Sequence, residues 1–122
     1  MDTDAFEKVI TETINTLPEE FRSKLINVDI TVEDEPTVEQ KITLQLDPLA
    51  SLFGLFEGVP QNVPGEDRAY VPDKITIFRN PILRHFYTDE ERKEQIKSTV
   101  LHEIGHYFGM SEEQLQKFTK LR

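Results

Sequence analysis

His102-Glu103-Ile104-Gly105-His106 sets two histidines four residues apart around a glutamate, close to the end of the 122-residue chain. Four residues along an α-helix make a little over one turn, so both imidazoles leave from one face, about 6 Å apart along the axis. A pair so placed can hold one metal ion. Glu103 lies about 100° further round from His102 and can reach a water on that ion without displacing a ligand, which suits a general base. All of this requires a helix, and no other stretch constrains the fold as much. The flanking residues meet the requirement. Thr88 followed by Glu91 reads as a capping box, and Ile96, Val100, Leu101, Ile104 and Phe108 recur at spacings of three or four. Gly109 then permits the left-handed turn that ends a helix.

A catalytic zinc site takes three protein ligands and leaves the fourth position for water. Beyond His106 the chain has no histidine, and it has no cysteine anywhere; the acids there are Glu112 and Glu113. The turn at Gly109 bends the chain back toward the metal and favours Glu112, ten residues after His102. Both acids also suit the first turn of a last helix, capped by Ser111 with Gln114 as its box partner. Zinc follows from the ligand types, although other divalent ions accept the same donors.

The extended pattern His-Glu-x-x-His-x-x-Gly-x-x-acid resembles the metzincin-type zincins. More closely, the chain is similar to small bacterial minimal-zincin proteins regarded as possible zinc metallopeptidases, with further likeness over residues 52–60 and 72–79. The resemblance implies a compact α+β domain with a small sheet packed on the motif helix. It implies zinc held by His102, His106 and Glu112, and peptide hydrolysis with Glu103 as general base on the zinc-bound water. It would also make Lys74 to Arg79 an edge strand that pairs with an extended substrate, the alternative being an ordinary core strand with Ile75 and Ile77 buried. Larger metzincins continue into a lower subdomain and a methionine turn; here ten residues follow Glu112, and Met110 is too close to the motif for that role. The expected substrate is therefore a peptide or small protein held weakly, or a partner protein completes the cleft.

Patterning along the rest of the chain supplies the other elements. Phe6, Val9, Ile10, Ile14 and Leu17 recur at helical spacing, and Pro18 ends the run. Ile26, Val28, Ile30 and Val32 alternate with polar residues, the period of a strand with one buried face. Ile42, Leu44 and Leu46 repeat that alternation and predict a second strand, after which Asp47-Pro48 reads as the start of a short helix. Residues 54–72 hold Gly54, Gly58, Gly65, Pro60, Pro64 and Pro72 and read as a loop. Ile75 to Phe78 form a third strand, and Asn80-Pro81 turns the chain toward the motif helix. The expectation is one α+β domain over residues 1–122, its mixed three-stranded sheet packed against the motif helix and the N-terminal helix. Phe53, Leu55 and Phe56 belong either to the core or to the wall of a substrate groove. The candidate oxyanion donors nearest the motif in sequence are His85, Tyr87 and Tyr107, against which stand plainer readings: His85 as a solvated loop residue, and the two tyrosines as packing residues with wet hydroxyls.

At this length, 37% hydrophobic residues suffice for one core without disulfides. The net charge of -9 is concentrated at the front, where residues 1–40 carry 11 acids and 3 bases. Such a field repels nucleic acid and anionic membrane and favours basic partners. No apolar run has the length of a membrane span, the first residues lack the pattern of a secretory signal, and cysteine is absent, so the expected location is the cytoplasm. Three functional classes fit these features: a zinc-dependent peptidase, a module that binds zinc or only proteins, and a metal-dependent ribonuclease. Acidity and Glu103 weigh against the ribonuclease.

Overall fold

The most apolar short run of the chain, Ile75 to Phe78, occupies the centre of a three-stranded sheet, where a strand is covered on both faces. The structure is a computed structural model that describes residues 1–45, 52–58 and 73–119. In chain order its elements are α1 (Thr3–Asn15), α2 (Glu19–Arg22), β1 (Val28–Glu33), α3 (Val38–Thr43), β2 (Gly54–Glu57), β3 (Asp73–Phe78), α4 (Arg79–His85), α5 (Asp89–Tyr107) and α6 (Glu112–Thr119). The strands lie in the order β1-β3-β2; β1 runs parallel to β3, and β2 antiparallel to it. This is a mixed α+β architecture, as the sequence implies.

Helices α1 and α5 pack over one face of the sheet. Phe6, Val9, Ile10 and Leu17 meet Ile75 and Ile77 of β3 and Ile96, Val100, Leu101 and Ile104 of α5 in a single buried cluster, which Phe118 of α6 joins. Removing one such side chain to alanine costs about 2–5 kcal/mol, so the motif helix is held by its own apolar stripe. Asp2 caps α1 by accepting a hydrogen bond from the Ala5 amide at 2.9 Å. Asp34 pairs with Arg79 at 3.3 Å and Glu35 pairs with Arg84, tying the exit of β1 to α4.

The alternation at Ile42 and Leu44 does not make a strand: residues 38–43 form α3, in which Thr37 and Gln40 cap each other through hydrogen bonds of 2.9 and 3.0 Å. Ile42 is 64% exposed, so the alternating residues have no core to face and the local capping box decides the conformation. Leu46 and the Asp47-Pro48 helix start lie outside the described residues. The glycine- and proline-rich segment expected as a loop begins instead with β2, whose residues 54–57 pair with 74–77. That addition moves Ile75 to Phe78 from the edge to the centre, so Lys74 to Arg79 is not the free edge. Ile26 is exposed and precedes β1, and His85 ends α4 rather than sitting in a loop.

Candidate metal centre

The Thr88 hydroxyl accepts a hydrogen bond from the Glu91 amide at 3.1 Å and starts α5, where Asp89, Glu90 and Glu91 complement the helix dipole. Ile96, Val100, Leu101 and Ile104 face the core, as their spacing requires. This orientation leaves His102 and His106 half-buried on the opposite side, with ring centroids 4.5 Å apart.

The helix ends by a turn that brings the chain back. Gly109 adopts φ 76°, its amide donates to the His106 carbonyl at 2.9 Å, and the Met110 amide donates to the Gly105 carbonyl at 3.0 Å. These paired bonds satisfy the last carbonyls of α5 and require a left-handed residue, which glycine provides at least cost. Ser111 and Gln114 then cap each other at 2.8 and 3.2 Å, so Glu112 is the first residue of α6. Close approach of α6 to α5 depends on Gly105, because a β-carbon there would collide with the Leu115 side chain.

His102, His106 and Glu112 each offer a ligand atom, and these atoms lie within 4.8 Å of one another. Tetrahedral zinc holds nitrogen and oxygen donors about 3.3 Å apart, so side-chain adjustments of about 1 Å bring the three onto one ion. Two imidazoles and a carboxylate are a fitting donor set, with a fourth position left open. Glu113 does not join the group among the described residues.

Glu103 is only 7% exposed and stays outside the ligand group. It lies beneath β2: a β-carbon on Gly54 would stand 3.3 Å from Glu103 Cγ. Its Oε1 is 3.2 Å from His106 Nδ1.

The three candidate oxyanion donors fare differently. Tyr107 is buried, and its hydroxyl donates to the Lys24 carbonyl at 3.3 Å. Tyr87 is 80% exposed beside the start of α5, about 20 Å of helix away from His102. His85 has Nδ1 2.9 Å from the Pro81 carbonyl and its ring centroid 5.4 Å from that of Phe53. None of the three belongs to the donor group. Phe56 packs on Tyr107 with centroids 5.8 Å apart and Phe53 on Phe86 at 5.8 Å, so both serve packing.

Patterning missed Gly54, the residue that lets the sheet edge reach the motif helix. Its signal was the Leu-Phe-Gly-Leu-Phe segment itself, hidden by the glycines and prolines that follow. No helix among the described residues is long and apolar enough to cross a membrane.

None of the curated proteins matches the chain. A family model described as zincin-like metallopeptidase matches residues 25–120, well over half of the chain, and its span takes in all three strands, the motif helix and the three converging side chains. The chain therefore belongs to the zincin-like metallopeptidase family.

Proposed function

We propose that this protein is a zinc-dependent peptidase in which His102, His106 and Glu112 hold the metal and Glu103 is the general base. The observation that carries this reading is the convergence of the three donors within 4.8 Å, with a buried carboxylate beside them that is not one of the three. When bound, zinc lowers the pKa of its water to about 7 and polarises a carbonyl oxygen.

The chain's own residues do the rest. A proton on His106 Nδ1 donates to Glu103 Oε1 and leaves Nε2 with a lone pair for the metal, fixing the tautomer the site needs. Glu103 Oε2, which makes no hydrogen bond among the described residues, accepts the proton of the attacking water and later delivers it to the leaving amine. Burial under β2 holds that carboxylate in one place, so little orientation is lost on reaction. With β3 in the centre of the sheet, β2 is the unpaired edge beside α5 among the described residues, and an extended peptide can pair with its backbone. A peptide or small protein fits this arrangement without a deep pocket.

The test compares the native protein with Glu103→Ala after zinc loading. Both should bind one equivalent of zinc, and only the native form should cleave a peptide library. Equal inactivity with zinc retained would replace the peptidase by a zinc-binding interaction module. Failure of either form to bind zinc would remove the metal centre itself.

A further inference from the structure

Among the described residues the sheet has a second unpaired edge, on the side of β3 away from β2. Among the described residues β1 pairs with β3 alone, and β3 separates it from β2 by about 5 Å on each side. Beside β1 runs a groove of about 470 Å³, lined by Ile10 and Ile14 of α1, by Leu25, and by Val28 and Ile30 of β1. Ile26, two residues before the strand, is 69% exposed. The two faces of β1 differ in chemistry. Val28 and Ile30 face the groove, whereas Asp29 and Glu33, of opposite parity, are exposed on the other face. Neither acid forms an ion pair among the described residues. Lys74 of β3 stands opposite Asp29 in the register, whereas Glu33 faces Phe78; on the groove side Glu7 lies on the rim, and Arg22, the one base in the lining among the described residues, is already paired with Glu19 at 2.6 Å.

The geometry points to a second peptide-docking site, at which an extended segment of a partner protein, with apolar and basic residues alternating, adds to β1 as a fourth strand. Apolar side chains of such a segment enter the groove, and its basic side chains stand across from Asp29 and Glu33. Charge selects this occupant. A second copy of the chain pairing through β1 would set acidic residues against acidic residues, and an acidic edge is a known device against self-association. The site uses no metal ligand, so it is independent of the proposed peptidase activity.

The experiment titrates the full chain, carrying Glu103→Ala so that the probe survives, with a short peptide of alternating valine and lysine, read by amide chemical shifts. Shifts should concentrate on residues 28–33, Ile10 and Ile14, and a valine-glutamate peptide should bind about tenfold more weakly. Asp29→Lys combined with Glu33→Lys should reverse the preference between the two peptides. Binding should be unchanged when zinc is removed, which separates this site from the metal centre. The inference is overturned by shifts centred on residues 54–57, by equal affinity for both peptides, by preference unaltered in the double variant, by zinc dependence, by dimerisation through β1, or by no binding at millimolar peptide.

Discussion

Replacing Gly54 with alanine tests how closely the sheet edge must approach the motif helix. The added β-carbon would lie 2.5 Å from Thr99 Cγ2 and 3.3 Å from both Glu103 Cγ and the Thr76 carbonyl oxygen. Carbon atoms in ordinary contact stand at about 3.5–4.0 Å, so β2 and α5 must separate by about 1 Å, or Thr99 must rotate. Rotation is opposed by the hydrogen bond of 2.9 Å that Gln95 Nε2 donates to the Thr99 hydroxyl. Overpacking of this kind costs about 1–3 kcal/mol. Alanine returns about 0.4–1 kcal/mol by restricting the unfolded chain, which leaves a net loss of about 1–2 kcal/mol. Thr99→Ser deletes the offending methyl while keeping the hydroxyl. Urea unfolding of the two single variants and the double variant should give a coupling energy of about 1 kcal/mol or more, with the double variant more stable than additivity allows. Unchanged stability of Gly54→Ala, or additivity with Thr99→Ser, would refute the close approach on which Glu103 burial depends.

Other outcomes follow from the same structure. Glu112→Ala should weaken zinc binding at least about tenfold in a chelator competition, and an unchanged affinity would remove Glu112 from the ligand set. Gly109→Ala should cost about 1–2 kcal/mol in thermal unfolding through strain at φ 76°, and should also weaken zinc binding, because that turn delivers Glu112. Thr76→Val should raise stability by about 1 kcal/mol, since the Thr76 hydroxyl is buried with no hydrogen-bond partner among the described residues; a loss would reveal a partner. The hydrogen bond from Arg84 holds the Glu35 carboxyl below its ordinary pKa, with the positive charge of Arg84 helping against partial burial. A depressed folded-state pKa stabilises above the unfolded value of about 4.3, and that contribution is lost as pH falls through the folded value. The stability difference between native protein and Arg84→Ala should therefore be present at neutral pH and shrink as pH falls below the unfolded value; a difference independent of pH would refute the assignment.

Much of the site was legible because its parts are local. The spacing of His102 and His106, the cap at Thr88, the stop at Gly109 and the Ser111-Gln114 box each depend on residues within one or two helical turns, and helical geometry turns such spacing directly into direction. Even the choice of Glu112 over Glu113 rests on a turn of three residues. The alternation of β1 and the apolar run of β3 were equally plain. Failure came where sequence neighbours were not the deciding neighbours. Ile42 and Leu44 alternate like a strand, yet nothing apolar faces them, and the cap at Thr37 prevails.

The amino-acid sequence by itself determined that a capped helix carries two imidazoles and a carboxylate on defined faces, and that a following turn returns an acid toward them. Tertiary structure alone decided that, among the described residues, β2 and not β3 forms the edge beside that helix, that Glu103 is buried beneath Gly54, and that β1 leaves a groove open on the far side. Helix geometry is fixed by bonds between residues four apart, whereas strand order depends on which distant segments bury one another's surface, and no local pattern encodes that choice.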